Sequence, residues 1–202
     1  MMTSPLDNVS RETIAKLEDF AALVQKWTVK INLVSKSSSE DLWNRHVLDS
    51  AQLFELAPRK GRWVDLGSGG GFPGIVVAIL AQGAGTEHEI TLVESDQRKA
   101  VFLRTAIREL ALDAKVLSER IENLPPLKAD ILSARALTDL AGLCGFADLH
   151  LDANGLALFP KGAQWEKELK SAQEQWQCSY DVIKSKSNPE AAILKIKDIV
   201  RV

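Results

Sequence analysis

WVDLGSGGGFPGIVVAIL, residues 63–80, joins a short apolar strand to an apolar helix through a cluster of glycines. Glycines at a strand-to-helix turn allow positive φ angles and let a ligand approach the main chain closely. Pro73 has no amide hydrogen to lose and suits the first helical position, and Gly83 is the expected left-handed cap at the helix end. The stretch therefore predicts a site for a nucleotide-like cofactor.

The glycines of this turn fit two patterns. Gly69, Gly71 and Gly74 fit the dinucleotide pattern G-x-G-x-x-G, in which a pyrophosphate lies on the helix amides. Asp65, followed by Gly67 and the next two alternate glycines, fits D-x-G-x-G-x-G, which is typical of class I S-adenosylmethionine-dependent methyltransferases. A carboxylate beside the loop would favour a cationic sulfonium cofactor and repel a pyrophosphate. Asp65 therefore favours the second interpretation.

An acidic residue also follows the next predicted strand, residues 90–93. Glu94 ends this strand, twenty residues beyond Gly74. In nucleotide-binding βαβ units, an acid at this place accepts hydrogen bonds from ribose hydroxyls. We therefore expect Glu94 to hold the sugar of the cofactor.

Composition limits the other possibilities. A chain of 202 residues is long enough for one sizeable core, and 25 Lys+Arg against 27 Asp+Glu give no global support for nucleic-acid binding, so any such surface must be a local patch. Cys144 and Cys178 lie far apart in sequence and lack the spacing of metal ligands, so we expect no metal site and two buried structural cysteines. Two thiols without a disulfide framework also fit a cytoplasmic protein. The longest apolar run, residues 75–81, is too short to span a bilayer, and the N-terminus lacks the build of a signal peptide.

Periodicity divides the chain near residue 60. An apolar stripe between Ile14 and Ile31 predicts a first helix with Ser10 as N-cap, and residues 35–39 offer caps for a second helix from about Glu40 to Leu56. Beyond Arg62, strands and helices alternate. We expect an N-terminal helical extension (1–60) packed on the core domain (61–202).

The predicted α/β core has a class I methyltransferase (Rossmann-like) fold, with a mainly parallel seven-stranded sheet and an antiparallel last strand. Besides the strands on either side of the glycine turn, we predict strands at 114–117, 129–134, 155–159, 180–185 and 191–197, and helices at 96–110 and 163–177. Ligands in such sheets lie beyond the carboxyl ends of the strands. The glycine loop and several charged residues, including Arg120, Arg135 and Lys161, fall at those ends.

Seven segments then occur in a characteristic order: WTVKINLVS (27–35), HVLDS (46–50), DLGSGGGFPGI (65–75), LVESDQRKAVFL (92–103), SERIENL (118–124), SARA (133–136) and FPKG (159–162). Together they resemble the small-subunit ribosomal RNA methyltransferase G family, also called glucose-inhibited division protein B. Two departures are Thr28, where the family usually has asparagine, and Pro160, where an aliphatic residue or methionine commonly stands. The resemblance implies S-adenosylmethionine as cofactor and methylation of N7 of a guanine in the 530 loop of 16S rRNA.

The resemblance also implies site residues. The predicted cofactor-binding residues, from the resemblance and from the glycine pattern together, are Gly67, Gly69, Gly71, Phe72, Glu94, Ile121, Glu122 and Arg135. Phe72 would pack on the methionine portion or close the pocket, and Ile121–Glu122 would meet the adenine. Arg135 would pair with the methionine carboxylate, face the RNA, or form a structural ion pair with Glu122.

The chemistry requires no general base, because guanine N7 has an in-plane lone pair and no proton to remove; we therefore predict no catalytic acid or base. The residues after the fourth predicted strand, Ser133-Ala134-Arg135, also lack the N-P-P-Y of enzymes that methylate exocyclic amines. Methylation at cytosine carbon would need a nucleophilic thiolate, for which neither cysteine is well placed.

His46, Asp49 and Lys161 are the candidate substrate residues. His46 and Asp49 lie three apart on one helix face, where they line the cleft or form a helix–helix hydrogen bond. A local phosphate-binding rim is expected from Arg59, Lys60, Arg62, Arg98, Lys99 and Lys161. The expected partner is 16S rRNA or the small ribosomal subunit, with the protein a monomer. The alternatives are a methyltransferase for a small molecule or protein, and an NAD-type dehydrogenase, for which no histidine is a clear acid–base candidate.

Overall fold

A seven-stranded sheet with helices on both faces forms the core of the computed structural model, which describes residues 4–35 and 41–202. The strands are β1 (Lys60–Leu66), β2 (Glu87–Val93), β3 (Ala114–Leu117), β4 (Ala129–Ala134), β5 (Leu151–Lys161), β6 (Trp176–Lys184) and β7 (Ala192–Arg201). The α-helices are α1 (Arg11–Thr28), α2 (Asp49–Leu56), α3 (Gly74–Ala84), α4 (Gln97–Glu109), α5 (Leu140–His150) and α6 (Trp165–Ala172). The spatial strand order is β3-β2-β1-β4-β5-β7-β6. The predicted fold class is confirmed.

Strand register sets up one functional edge. β1 to β5 run parallel, and Leu66 pairs with both Val93 and Ala134, while Val93 pairs with Leu117. The carboxyl ends of four neighbouring strands therefore lie level, and the residues that follow them stand side by side. β7 is antiparallel to both β5 and β6, as predicted for the last strand.

Apolar side chains fill both faces of the sheet. One core cluster joins α1, α2, α3 and α4 to the sheet through residues such as Phe20, Ile75 and Leu103. A second cluster packs α5 and α6 on the other face around Leu143 and Phe159. Helix α3 is buried along its first eight residues, because α1 and α2 cover the side that faces away from the sheet. The glycine loop that precedes α3 is thus held from several directions.

The N-terminal helices agree only partly with the prediction. Ser10 caps α1 by accepting a hydrogen bond from the Thr13 amide, as expected. The second helix begins as a π-helical segment, Trp43–Leu48, and continues as α2. The proposed caps at 36–39 and the expected start at Glu40 lie outside the described residues.

Several element boundaries on the remaining chain differ from the prediction; β5 and β6, for example, begin four residues before the predicted strands at 155–159 and 180–185. The left-handed cap of α3 is Gly85, with φ 60°, and Gly83 lies inside the helix. Gly83 is required for packing, because a Cβ there would stand 2.1 Å from Oγ1 of Thr13 on α1. Helix α5 was not predicted, and α6 is shorter than the predicted helix at 163–177.

Two further features concern expectations from composition. Cys144 is buried as expected, whereas Cys178 is only partly buried, and neither forms a disulfide. Within the described ranges, no helix combines the length and apolar character needed to cross a membrane.

Candidate functional site

The glycine loop between β1 and α3 forms the centre of the site. Gly67, Gly69 and Gly71 all have positive φ, at 66°, 53° and 87°. At Gly67 an added Cβ would also meet Cδ1 of Leu137 at 2.7 Å. Only glycine combines this backbone conformation with such close approach. The loop is therefore tightly wound, with its backbone open to a neighbouring ligand.

Asp65 lies beneath this loop and is fully buried. One carboxylate oxygen accepts the amide of Gly74 at 3.1 Å, and the other accepts the hydroxyl of Ser133 at 2.7 Å. Burial raises the pKa of Asp65 to about 6, against the lowering effect of these hydrogen bonds. Asp65 does lie beside the loop, as expected, but the protein encloses its carboxylate, which joins β1 to β4 and to the start of α3.

Glu94 occupies the place predicted for it. The side chain is 7% exposed and accepts the amide of Gly69 at 2.8 Å and the amide of Asp96 at 2.7 Å, one on each oxygen. These bonds fix the carboxylate between the glycine loop and the N-terminus of α4. Each oxygen keeps a further acceptor site, which suits two neighbouring hydroxyls of a ribose.

A cavity of about 270 Å³ opens beside Glu94 at the carboxyl edge of the sheet. It is lined by Gly67, Gly69, Val93, Glu94, Ser95, Lys99, Glu119, Arg120, Ile121, Glu122, Ala136, Leu137 and Phe146. Five of the eight predicted cofactor residues are brought together here. Gly71, Phe72 and Arg135 are not among the lining residues of this cavity. We call it the nucleoside cavity, after the ligand that the sequence predicts for these residues.

Phe72 instead joins the loop to the N-terminal helices. Its ring centroid is 5.1 Å from that of Phe20 and 4.9 Å from that of His46, and the Arg135 guanidinium carbon lies 5.7 Å from it. The side chain is 5% exposed. Phe72 therefore orders the groups around it, and its contact with a methionine moiety stays a prediction.

A larger cavity of about 660 Å³ adjoins the first. It is lined by Arg45, His46, Asp49, Arg135, Ala136, Leu137, Thr138, Asp139, Pro160, Lys161, Gly162, Glu168, Ser185, Ser187, Asn188, Ala191 and Ala192. Ala136 and Leu137 line both cavities, so the segment after β4 forms their common wall. We call the larger one the acceptor cavity, because the three candidate substrate residues predicted from the sequence, His46, Asp49 and Lys161, line it.

Arg135 connects the acceptor cavity to the N-terminal helices. Its guanidinium donates to Asp49 Oδ2 at 3.2 Å, to the Arg45 carbonyl at 3.1 Å and to His46 Nδ1. Burial lowers the pKa of Arg135, and the Asp49 carboxylate opposes this effect. Arg135 does form an ion pair, but the expected partner Glu122 is wrong, because Glu122 lies on the nucleoside side of the common wall.

Asp49 also binds the turn between β6 and β7. Its Oδ1 accepts the hydroxyl of Ser187 at 3.0 Å while Oδ2 accepts Arg135. One turn along α2, Gln52 accepts the Lys186 amide at 2.7 Å. Both oxygens of Asp49 are therefore occupied, and its role in the structure is to hold Arg135 and the turn.

His46 has a defined protonation state. Arginine can only donate, so the Arg135 contact makes Nδ1 an acceptor and places the ring proton on Nε2. Burial, then Arg135 and Arg45, lower the pKa of His46 to about 3, with only Asp41 opposing them. The ring is thus neutral at physiological pH, and its Nε2–H has no hydrogen-bond partner within the described ranges.

Lys161 is drawn inward at the end of β5. Its side chain is 8% exposed, with Nζ 2.5 Å from Glu168 and 3.1 Å from the Thr138 carbonyl. In this structure it fixes the wall of the acceptor cavity. Direct contact with a substrate phosphate would require the Glu168 pair to open.

The single basic rim predicted from the sequence is wrong. Arg59 precedes β1, and Lys60 and Arg62 are its first and third residues, so all three lie toward the amino end of the strand, away from the glycine loop. Arg62 pairs with Asp130 at 3.1 Å. The two ends of this seven-residue strand lie about 20 Å apart. Of the remaining members, Arg98 pairs with Asp96.

Sequence reasoning missed three lining residues that matter to the site. Ala136 and Leu137 form the common wall, and Ser187 holds Asp49. The SARA segment gave a signal for the wall, since it follows a strand at the functional edge. Nothing in the sequence indicated Ser187, because its partner lies 138 positions away.

Comparisons with known proteins agree with this geometry. A family model described as rRNA small subunit methyltransferase G matches residues 13–193. Proteins named ribosomal RNA small subunit methyltransferase G from Ruegeria pomeroyi and from another Ruegeria strain are 60% and 53% identical to this chain. The alignments cover 96% of this chain and 96% and 95% of those proteins. Among solved structures, M. jannaschii TYW2 in complex with AdoMet superposes with a TM-score of 0.60 at 15% identity, over 86% of this chain and 80% of that one.

Proposed function

Because this chain belongs to the rRNA small subunit methyltransferase G family and is an S-adenosylmethionine-dependent rRNA methyltransferase, we propose that it methylates N7 of a guanine in the 530 loop of 16S rRNA, on the small ribosomal subunit. Family membership supports rRNA over a small molecule or protein as acceptor, and over the dehydrogenase alternative. The structural observation that carries the proposal is the pair of adjoining cavities at the carboxyl edge of the sheet.

The nucleoside cavity suits the adenosine part of the cofactor. Glu94 is fixed by two backbone amides and offers acceptors to the ribose hydroxyls, and Gly67 and Gly69 let the ligand approach the loop backbone. Ile121 and Glu122 follow β3 and line the same cavity, which supports a contact of this segment with the adenine. The three carboxylates of Glu94, Glu119 and Glu122 outnumber the two basic side chains of this lining, Lys99 and Arg120, so the charge of the cavity does not favour a pyrophosphate.

The acceptor cavity suits a nucleobase. The cofactor supplies an electrophilic methyl group when it is bound. Transfer of that methyl group to N7 would release S-adenosylhomocysteine and leave the guanine with a positive charge. The protein contributes position and exclusion of water, and no side chain needs to remove a proton. The common wall of Ala136 and Leu137 sets how closely the two ligands approach.

Mapping of N7-methylguanosine in 16S rRNA tests the proposal. We expect the mark at one guanine of the 530 loop in cells that have the protein, its loss when the gene is deleted, and its return with the wild-type gene. Purified protein should also transfer labelled methyl from S-adenosylmethionine to small subunits or to 16S rRNA from the deletion strain. A deletion strain that keeps the mark would refute the assignment.

The oligomeric state and the form of the substrate belong to the same proposal. We propose that a monomer acts, because both cavities are complete within one chain. Sedimentation at working concentration tests this, and parallel assays on naked rRNA and assembled subunits identify the substrate.

A further inference from the structure

We propose that the exposed face of α4 binds phosphates of the RNA substrate, outside both cavities. We call this face the arginine stripe, and it consists of Arg98, Arg104 and Arg108. It keeps Arg98 of the rim expected from the sequence and adds two arginines that the sequence analysis did not single out. The inference rests on the proposed function, since it takes the rRNA of the small subunit as the ligand.

Helix α4 concentrates positive charge in a chain that has none to spare. Its thirteen residues include four basic side chains, Arg98, Lys99, Arg104 and Arg108, and a single acidic one, Glu109. The helix therefore carries a net charge of +3, whereas the whole chain has a formal net charge of −2. An RNA-binding surface on this protein must be a local patch, and α4 provides one.

The three arginines share one side of the helix and are open to solvent. Steps of three to four residues place Arg98, Val101, Arg104 and Arg108 on the same face, and all four are exposed. Over ten residues the stripe is about 15 Å long. The Arg98 side chain is 75% exposed although it pairs with Asp96. Within the described part of the chain, neither Arg104 nor Arg108 forms an ion pair.

The stability of the helix does not explain these charges. Arg98 and Lys99 lie in the first turn, which holds no acidic residue and where the helix dipole disfavours a positive charge. Arg104 and Arg108 are four residues apart, so their like charges repel each other on the helix surface. A polyanion bound along this face would relieve both effects, and the phosphate backbone of RNA is such a ligand.

The stripe begins at the cofactor site but lies away from the acceptor cavity. Lys99, next to Arg98, lines the nucleoside cavity, and α4 packs against β3 at the end of the sheet. Arg135 of the acceptor cavity follows β4, which is three strands from β3, or about 14 Å. The stripe would therefore bind a segment of rRNA other than the target nucleotide, and so orient the RNA without taking part in the transfer.

The test compares two double variants that remove the same charge. Arg104→Gln with Arg108→Gln removes two members of the stripe and keeps good helix formers at both positions. The control is Lys167→Gln with Lys170→Gln on the exposed side of α6, which packs on the other face of the sheet and carries as many acidic as basic residues. Binding to small subunits from the deletion strain is measured over a range of salt concentrations, together with the kinetics of methyl transfer.

We expect the stripe variant to lower the slope of log affinity against log salt by about 1.5, because each lost phosphate contact removes about 0.7–0.9. Its KM for small subunits should rise about tenfold at about 0.1 M salt. The kcat, the affinity for S-adenosylmethionine and the thermal unfolding midpoint should be those of wild-type protein. The α6 control should keep the wild-type slope and KM.

A photoreactive amino acid at Val101 identifies the partner, because this side chain is 50% exposed in the middle of the stripe. We expect crosslinks to 16S rRNA, and crosslinks to a ribosomal protein would overturn the assignment to RNA.

Three further outcomes overturn the inference. An unchanged salt slope would show that the stripe touches no phosphate, and an equal change in the α6 control would show an effect of net charge alone. A fall in kcat or in cofactor affinity would place the effect at the cofactor site. Failure of the proposed function looks different, because wild-type protein would then neither bind nor methylate small subunits from the deletion strain.

Discussion

Asp65→Asn tests the reasoning about the carboxylate beneath the glycine loop. The Asp65 side chain is fully buried and its pKa is raised from 3.8 to about 6, mainly by burial. A difference of roughly two pKa units corresponds to about 3 kcal/mol at 1.36 kcal/mol per unit. Asparagine keeps the shape of the side chain and cannot ionise, so it isolates this contribution.

The sign follows from proton binding. Between the unfolded and folded pKa values, the folded protein holds a proton on Asp65 that the unfolded chain has lost. The free energy of unfolding therefore falls as pH rises through this window, in contrast to a carboxylate with a lowered pKa. Of the 3 kcal/mol, about 2 kcal/mol should be lost between pH 4 and pH 7.

Urea unfolding of wild-type protein and Asp65→Asn at intervals from pH 4 to pH 7 measures the effect. We expect the wild-type free energy of unfolding, minus that of the variant, to decrease steadily with pH. Asp130→Asn is the matched control, because the hydrogen bond from Arg62 lowers the pKa of Asp130 below 3.8 and its stabilisation is lost only below about pH 4, so the corresponding difference for this variant should stay nearly constant from pH 4 to pH 7. A difference for Asp65→Asn that is flat, or that rises with pH, would refute the reasoning.

Three further variants probe the site and its support. Glu94→Gln should weaken S-adenosylmethionine binding about tenfold to a hundredfold in calorimetry, because charged hydrogen bonds to the ribose and to the loop amides are lost. Glu87→Gln is the control and should leave the affinity unchanged, because Glu87 lies at the exposed start of β2, the strand that Glu94 follows. Asp49→Asn should lower the free energy of unfolding by about 2 kcal/mol, since Oδ2 no longer offers a charge to a buried guanidinium; an unchanged urea midpoint would contradict this. Gly83→Ala should cost about 1–3 kcal/mol by overpacking against Thr13, with a smaller loss when Thr13→Ala is already present; equal losses in both backgrounds would show that the contact is not the cause.

Local patterns predicted the parts of the fold that local physics determines. The strand–glycine–helix turn and the position of Glu94 could be predicted, because the pattern that defines them lies within one short stretch of sequence. The boundaries of β3 and β4 were also correct, since short apolar runs were bounded by polar residues. The left-handed cap was misplaced because Gly83 and Gly85 both fit the end of the helix, and only the close approach of Thr13 distinguishes them.

For the acceptor cavity, the sequence could indicate which residues were candidates but not how they contact one another. His46, Asp49 and Arg135 were candidates, but their mutual contacts join positions 86 to 89 apart. The basic rim failed for a related reason. Its residues are all basic, and several are neighbours in sequence. Arg62, however, lies toward the amino end of β1, whereas Leu66, four residues later, lies at the carboxyl end, where the glycine loop begins.

The two cavities differ in what builds them, and this difference has a consequence for the enzyme. The nucleoside cavity is formed by the ends of β1 to β4 and the segments after them, together with α4 and α5, so the core alone supplies it. The acceptor cavity also needs the N-terminal helices and the turn between β6 and β7. Asp49 on α2 joins these parts, because one of its oxygens accepts Arg135 and the other accepts Ser187 of the turn. Loss of those contacts should therefore impair transfer to RNA more than binding of the cofactor. We therefore expect recognition of the nucleobase to depend on the tertiary assembly, and binding of the cofactor to depend on the segments that follow the parallel strands.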